Sequence, residues 1–389
     1  MRLGFHFHVP AYQDGNKIRM PGYLGTFIDG LAPKFEHIVC FLHSPLSYDK
    51  QFIDYKIKSK NVILINIGSK RRVYIRELFW PFYLKHYYFN KKLIDVLLIR
   101  GPSPLLPYFS LLTKEIPKVF MLVADQLKGL EDLQQPKFRR KMIILWSNWN
   151  RILQDKCIRN EHIIVNSKKL LDDNINISKS IKTIKTTTLY KKDLYYREDT
   201  CKNEVVHLLY TGRMDRGKGL FEMVDALHLL VNDGINANLN FVGWADDGDP
   251  IIAELKKYAN DLKIIDKVIF HGFQPLGKKL FSFYKQSDVY VIASKRSEGF
   301  PRTIWEAMAH SLPVVATRVG SISHYLSNEN NALLVEPNSP HDLFQAIKII
   351  IKDKKIRRRI TKNSFSLVSK QTIENRSEEL ANHIKEIID

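Results

Sequence analysis

A glycine-rich turn with two cations lies in the second half of the 389-residue chain. The segment 211–219 reads Thr-Gly-Arg-Met-Asp-Arg-Gly-Lys-Gly and follows an apolar run. Its glycines, Gly212 among them, let the backbone turn tightly and approach a ligand. Arg213 and Lys218 place positive charge where the N-terminus of a following helix already favours an anion. The turn suits a diphosphate, although a solvated basic turn without a ligand fits the same residues.

A second junction between a strand and a helix carries two carboxylates. Glu298 lies in the loop, and Glu306 follows within the predicted helix. Because a carboxylate accepts hydrogen bonds from two hydroxyls, the pair suits a ligand with two polyols, a hexose at Glu298 and a ribose at Glu306. The alternative is a capping box of Thr303 and Glu306 at the start of an ordinary core helix.

Alternating strands and helices must position both loops. In the second half, strands are predicted at 205–210, 239–242, 268–270, 289–293 and 313–317, with helices from Leu220 and near 251–262, 276–286 and 303–310. In the first half, strands are predicted at 2–8, 38–42, 62–67, 95–99, 119–123 and 163–165. Short apolar strands between helices predict parallel, doubly wound sheets of the α/β class. Ligands of such sheets bind beyond the carboxyl ends of the strands, where both loops lie.

Length and composition constrain the class of protein. A chain of 389 residues predicts two domains, here two Rossmann-like domains joined near residues 188–203. The three cysteines show no paired spacing, which indicates a reducing compartment. The start of the chain lacks a signal-peptide pattern, and no run of about 18 apolar residues occurs. We therefore expect a cytoplasmic location.

Two patterns raise the question of a metal. Asp246, Asp247 and Asp249 contain an Asp-x-Asp pair of the kind that holds Mg²⁺ or Mn²⁺ on a diphosphate. They precede a predicted helix start, where acids serve as caps, and we expect that capping role. His6 and His8 lie near the end of the first strand without a third ligand in view. We therefore predict no metal site.

The motifs in combination resemble the retaining family 4 glycosyltransferases, which have the GT-B fold. The resemblance is strongest over about residues 205–345 and rests on Gly212-Arg213, Val242-Gly243, Lys218-Gly219, Glu298-Gly299-Phe300-Pro301, Glu306-Ala307-Met308-Ala309, Leu312–Thr317 and Leu334–Pro337. In the first half, Pro21-Gly22-Tyr23-Leu24-Gly25 is similar to the glycine-rich loop that opens the first helix of this family.

The resemblance implies two domains that face a central cleft. Residues 1–190 would bind the acceptor and residues 204–364 the nucleotide-sugar, and a helix at about 365–389 would pack back on the first domain. It implies catalytic roles for Arg213, Lys218 and Glu298. The implied donor-binding residues are Gly22, Gly212, Arg213, Lys218, Gly243, Gly272, Phe273, Glu298, Gly299, Phe300, Pro301, Thr303 and Glu306.

On the acceptor side the resemblance points to His8, Arg100 and Asp125. Many relatives carry a histidine-aspartate pair after the fifth strand of the first domain, and here Ala124 replaces the histidine. The implied reaction is retaining transfer of a hexose-type sugar from a nucleotide-diphosphate sugar to a glycan or lipid-linked glycan, without metal or other cofactor. Such transfer builds cell-surface polysaccharides, namely capsule, O-antigen or exopolysaccharide. A nucleotide-sugar epimerase or a binding-only relative of the same fold stays open.

The positive charge points to a further partner. The net charge of +19 divides into +16 for residues 1–200 and +3 for residues 201–389. Basic and aromatic residues interleave in 70–92 and 137–151, a composition typical of contact with the anionic inner face of the cell membrane. The alternatives are a surface that binds nothing and a surface that binds nucleic acid. We expect no nucleic acid, because no nucleic-acid motif occurs and the two glutamates would repel a polyanion.

Overall fold

Parallel sheets form the centre of two structural units. The computed structural model describes residues 1–123, 137–296 and 300–388, without the side chains of Tyr48 and Gln51. The first unit comprises Met1–Thr186 with Ile373–Asp389, and the second comprises Thr187–Thr372. Within the described ranges, none of the helices combines the length and the apolar character needed to span a bilayer.

The first unit contains ten strands and seven helices among its described residues. Its strands are β1 (Leu3–Pro10), β2 (Tyr12–Asp14), β3 (Lys17–Met20), β4 (Ile38–Ser44), β5 (Tyr55–Lys56), β6 (Val62–Ser69), β7 (Val96–Gly101), β8 (Lys118–Leu122), β9 (His162–Val165) and β10 (Ser180–Thr183). Its helices are α1 (Gly22–Leu31), α2 (Val73–Leu78), α3 (Trp80–Asn90), α4 (Leu106–Leu112), α5 (Lys137–Ile158), α6 (Lys168–Asn174) and, last in the chain, α14 (Ile373–Ile388).

Seven of these strands form one parallel sheet in the order β10-β9-β8-β7-β1-β4-β6. The six strands predicted for this half are confirmed. Strand β10 and the small antiparallel sheet β2-β3-β5 were not predicted, because these segments are short and contain too few apolar residues to show an alternating pattern. The chain order reverses at β1, which makes the carboxyl ends of β1 and β7 the switch point of the sheet.

Helix α14 packs in the first unit. Leu380 and Ile384 are buried in the same core as Phe5 on β1 and Ile28 on α1. A Cβ on Gly30 of α1 would lie 2.4 Å from Ile373 Cγ2. The two helices therefore approach closely where a glycine leaves room.

The second unit contains six strands and seven helices among its described residues. Its strands are β11 (Val206–Arg213), β12 (Ala237–Trp244), β13 (Val268–Phe270), β14 (Val289–Ile292), β15 (Val314–Thr317) and β16 (Leu333–Val335). Its helices are α7 (Leu220–Asn232), α8 (Ile251–Asp261), α9 (Lys278–Gln286), α10 (Arg302–Ala309), α11 (Ile322–Tyr325), α12 (Pro340–Lys352) and α13 (Lys354–Val368).

All six strands pair in parallel, in the order β13-β12-β11-β14-β15-β16. The doubly wound α/β class and the five strands predicted here are confirmed, whereas β16 was not predicted. Strand β11 runs further than predicted, because Thr211, Gly212 and Arg213 continue its pairing with β12. The switch point lies between β11 and β14. The two loops with candidate site residues follow these two strands.

The interior of the first unit holds neutral histidines. His6 is fully buried, with Nδ1 2.9 Å from the Phe41 carbonyl oxygen and Nε2 2.9 Å from Ser103 Oγ, and its ring stacks on Phe109. Burial lowers the pKa of His6 to about 3. The imidazole is therefore neutral in the folded protein at pH values where an unfolded chain would protonate it.

Acid should destabilise the protein through His6. The unfolded chain takes up a proton below about pH 6.5 and the folded chain does not, so stability is complete above that pH and falls as the pH drops toward 3. The slope from this one group is up to about 1.4 kcal/mol per pH unit. Urea unfolding at several pH values measures it. His6→Asn, whose amide can still donate to Phe41, should show a shallower slope, and an equal slope would contradict the assignment.

Candidate active site

Three glycines leave the carboxyl edge of the second sheet without side chains. Gly212 lies near the end of β11, Gly243 lies near the end of β12, and Gly272 follows β13. The Gly243 N–H donates to the Gly272 carbonyl oxygen at 2.9 Å. A Cβ on Gly243, where φ is 154°, would lie 1.8 Å from the Gly212 carbonyl oxygen. Strands β11 and β12 can approach each other this closely only because residue 243 is glycine.

Arg213 ends β11 and is half-exposed at this edge. Its guanidinium lies 3.1 Å from Asp215 Oδ2 and 3.3 Å from Asp246 Oδ2. Exposed pairs of this kind contribute about 0–1 kcal/mol, so an incoming diphosphate can replace a carboxylate at low cost.

The aspartates before α8 have separate partners. Asp249 Oδ1 accepts from the Ile251 N–H at 3.0 Å in the first turn of α8, whose N-cap residue is Pro250. Asp246 instead pairs with Arg213. Among the residues that the structure describes, no cluster of histidine, cysteine and carboxylate side chains is arranged to hold a metal ion.

Lys218 closes a single helical turn directly before α7. Asp215 Oδ1 accepts from the Gly217 N–H at 2.9 Å, and the Lys218 N–H donates to the Asp215 carbonyl oxygen at 3.1 Å. Gly219 then adopts a left-handed conformation, with φ of 67°, and serves as the N-cap of α7. The turn thus presents Lys218 beside a helix N-terminus that no cap side chain covers.

The loop after β14 lies against this turn. The Lys295 N–H donates to the Gly217 carbonyl oxygen at 2.9 Å, and Lys295 Nζ pairs with Glu222 Oε1 of α7 at 2.5 Å. The turn that carries Lys218 and the loop after β14 therefore lie next to each other. Glu298 and Gly299 lie outside the described residues.

Glu306 is buried in α10, with 4% of its surface exposed. Oε1 accepts from the Thr188 hydroxyl at 2.8 Å and Oε2 from the Tyr284 hydroxyl at 2.7 Å. Burial raises the pKa of Glu306. The capping-box alternative is wrong, because α10 begins at Arg302 after Pro301 and Glu306 bonds elsewhere.

A tyrosine connects Glu306 to the tip of β11. The Tyr284 hydroxyl also lies 2.6 Å from Thr211 Oγ1, next to Gly212 and Arg213. The sequence signalled neither Tyr284 nor Thr188, because they are 22 and 118 residues away from Glu306 and share no motif with it. Only folding brings them together.

Aromatic rings surround both ends of this region. Phe273 lies edge-on to Trp244, with centroids 5.5 Å apart, beside Gly272. Phe300 packs on Trp305 at 4.3 Å, just before Pro301. Thr303, on the first turn of α10, is half-buried.

The residues expected in the first unit each make their own contacts. The Gly22 N–H, at the start of α1, donates to Asp54 Oδ1 at 2.7 Å. His8 Nδ1 lies 2.8 Å from the Pro102 carbonyl oxygen, and burial lowers the pKa of His8 to about 4. Arg100 is buried with its guanidinium over the rings of Phe7 and Phe27. Asp125 lies outside the described residues.

Comparison with known proteins shows which family the second unit resembles. Residues 197–366 match the family described as Glycosyl transferases group 1. The match covers less than half of the chain and lies within its second unit.

An uncharacterized glycosyltransferase of Methanocaldococcus jannaschii is 31% identical over 159 residues, which cover 40% of this chain and 41% of that protein. The capsular polysaccharide biosynthesis glycosyltransferase CapM of Staphylococcus aureus is 26% identical over 155 residues, 40% of this chain and 39% of that protein. The chain thus spans about two fifths of the length of these relatives. HepE of Anabaena, crystallised with UDP-glucose, matches with a TM-score of 0.75 at 17% identity over 99% of this chain and 100% of that one. This likeness, with the two parallel-sheet units, shows the GT-B fold.

The close approach of Gly219 to β14 can be tested by substitution. A Cβ on Gly219 would lie 1.9 Å from the Ala293 carbonyl oxygen, a backbone atom that cannot move aside. Gly219→Ala should therefore lower the free energy of unfolding by about 2 kcal/mol or more. Gly248→Ala is the matched control, since φ there is 79° and nothing lies within 4 Å. Urea unfolding measures both, and equal losses would contradict the close approach.

Proposed function

We propose that the chain transfers a hexose-type sugar from a nucleotide-diphosphate sugar to a glycan or lipid-linked glycan. The observation that carries the proposal is the contact between two loops at one sheet edge, where Lys295 after β14 bonds to Gly217 in the turn that carries Lys218 and follows Arg213. The match of residues 197–366 to the glycosyltransferase family supports a glycosyl transfer. UDP-glucose bound to HepE supports a nucleotide-sugar donor, and the name of CapM supports polysaccharide synthesis.

The proposed reaction retains the configuration of the sugar. The bond between the anomeric carbon and the diphosphate oxygen breaks, and the acceptor oxygen bonds to the same face of that carbon. The acceptor hydroxyl gives its proton to an oxygen of the departing diphosphate. Negative charge therefore develops on the diphosphate, and stabilising it is the main task of the protein.

Arg213, Lys218 and the first N–H groups of α7 are proposed to stabilise that charge without a metal. Arg213 would release the carboxylate of Asp246 and bind the diphosphate instead. Donors that are already in place act without reorganisation when charge develops, which is why they accelerate such steps.

The two glutamates are proposed to hold the donor by its hydroxyls, Glu298 on the hexose and Glu306 on the ribose. The further donor-binding residues proposed are Gly22, Gly212, Gly243, Gly272, Phe273, Gly299, Phe300, Pro301 and Thr303. In the first unit, His8, Arg100 and Asp125 are proposed for the acceptor. The neutral His8 would accept from an acceptor hydroxyl through Nε2, because Nδ1 faces the Pro102 carbonyl oxygen.

Lys218→Ala tests the proposed reaction. The variant should lose about a hundredfold or more in turnover, because one charge-stabilising donor typically contributes about 3–4 kcal/mol to the transition state. The donor is first chosen among UDP-, GDP- and ADP-sugars by thermal shift. The amount of radiolabelled sugar in the acceptor and the amount in free nucleotide-sugar are then measured, each with and without EDTA.

Arg216→Ala is the matched control, since Arg216 belongs to the same turn but pairs with Glu254 at 2.6 Å. Near-normal turnover of Lys218→Ala would contradict the proposed site. Isomerised nucleotide-sugar without labelled acceptor would favour an epimerase, and loss of activity in EDTA would contradict metal-free transfer.

We also propose that the first unit contacts an anionic membrane through α5. Five apolar residues form one exposed stripe of this helix at alternating spacings of four and three, and each is between 49% and 78% exposed: Phe138, Met142, Leu145, Trp149 and Ile152. The polar Ser147, Asn150 and Gln154 are instead buried. The helix thus turns its apolar side outward, which a water-facing helix normally avoids.

Neighbouring residues extend this surface. Trp146 Nε1 donates to Glu77 Oε2 at 2.5 Å, which attaches α5 to α2. Leu78, Phe79, Phe82 and Phe89 are exposed on α2, α3 and the residue between them. Exposed cations flank the apolar residues: Arg71, Arg72, Lys137, Arg139, Arg140 and Lys141. Apolar insertion and attraction to anionic headgroups would act together.

Binding to vesicles tests this surface. The protein should sediment with phosphatidylglycerol vesicles at low salt, and Leu145→Glu should weaken that binding about tenfold, because an apolar contact is replaced by a repelled charge. Ile349→Glu, at an exposed isoleucine of the second unit, should bind as the unchanged protein does. A protein that ignores these vesicles would end the membrane proposal.

A further inference from the structure

The carboxylate of Glu306 is held from two sides. Thr188 donates to one oxygen and Tyr284 to the other, at 2.8 and 2.7 Å. A glutamate side chain otherwise rotates about three bonds, and ordering it costs conformational entropy. A hydrogen bond to each oxygen therefore fixes the plane of the carboxylate as well as its position.

Tyr284 is itself held in one orientation. Its hydroxyl lies 2.6 Å from Thr211 Oγ1, and its ring stacks on His310 with centroids 5.4 Å apart. His310 Nδ1 lies 2.7 Å from the carbonyl oxygen of Glu306. Burial raises the pKa of Tyr284 well above its ordinary value, so the phenol keeps its proton and donates. Tyr284 thus joins the tip of β11 to the middle of α10.

This arrangement leaves acceptor capacity on both carboxylate oxygens. Each oxygen of a carboxylate can accept two hydrogen bonds. Thr188 and Tyr284 each use one, and one remains on each oxygen. Two such acceptors in a fixed plane match two adjacent hydroxyl groups, such as those of a ribose.

We propose that Tyr284 and Thr188 are positioning residues that present Glu306 to the 2′- and 3′-hydroxyls of the donor ribose. They would make the site selective for ribonucleotides over deoxyribonucleotides. The inference rests on the proposed function, which assigns Glu306 to the ribose. Their role would be to orient the carboxylate of Glu306, so their effect should be visible in the preference for the 2′-hydroxyl.

Selectivity for the 2′-hydroxyl measures this role. Dissociation constants are determined by calorimetry for UDP and 2′-deoxy-UDP, or for the GDP or ADP pair if that nucleotide gives the largest thermal shift. The unchanged protein should prefer the ribonucleotide by about tenfold or more, as expected for a hydrogen bond to a charged group. Tyr284→Phe and Thr188→Val should each reduce this ratio at least about threefold.

Tyr258→Phe provides the matched control. Tyr258 also donates to a carboxylate, Asp225 Oδ1 at 2.6 Å, but between α7 and α8. Its removal should leave the ribose preference unchanged even if stability falls. A merely structural role of Tyr284 would affect stability in the same way and would not change the ratio.

The outcomes separate this inference from the proposed function. If Tyr284→Phe and Thr188→Val bind nucleotide with the original ratio, the positioning role is wrong and the donor site stands. If the unchanged protein binds both nucleotides equally, Glu306 does not bind the ribose, which overturns the inference but not the transfer reaction. If no nucleotide binds, the proposed function itself fails. Should Tyr284→Phe not fold, Thr188→Val carries the test alone.

Discussion

The buried carboxylate of Glu306 is the constraint on which the second unit depends. A charged group with little exposure is costly unless hydrogen bonds replace the lost water, and here Thr188 and Tyr284 supply them. Because Tyr284 also bonds to Thr211, satisfying the carboxylate fixes the start of the segment that carries Arg213. The same bonds that make burial tolerable therefore align two loops that come from different strands.

Glycine decides how closely those loops can meet. The carbonyl oxygens of Gly212 and Ala293 occupy the positions that a Cβ on Gly243 or Gly219 would need. Side chains at these two sites would push β11 away from β12 and α7 away from β14. At Gly243 and Gly219 the chain consequently presents backbone groups rather than side chains.

The first unit has an unusual distribution of polar and apolar groups. Its interior buries His6 as a neutral ring among aromatic side chains, while α5 exposes apolar residues and buries polar ones. Both features reverse the usual distribution of polar and apolar groups. In the sheet the reversal is satisfied by hydrogen bonds within the protein, whereas on α5 the proposed membrane contact would supply the apolar partner.

The sequence by itself determined the α/β class, eleven strands of the two sheets and the resemblance to a glycosyltransferase family, because hydrophobic periodicity and motif order are local properties of a chain. It also placed Gly212, Arg213 and Lys218 at the edge of the second sheet. It could not find Thr188 and Tyr284, which reach Glu306 only through folding, nor the full length of β11, which pairing with β12 extends. The sequence showed that the segment of α5 contains aromatic residues. Which side of that helix faces outward was decided by Glu77 and by the other polar groups that bond to it in the folded chain. Such partners lie far away in sequence, and only a folded chain brings them within hydrogen-bonding distance.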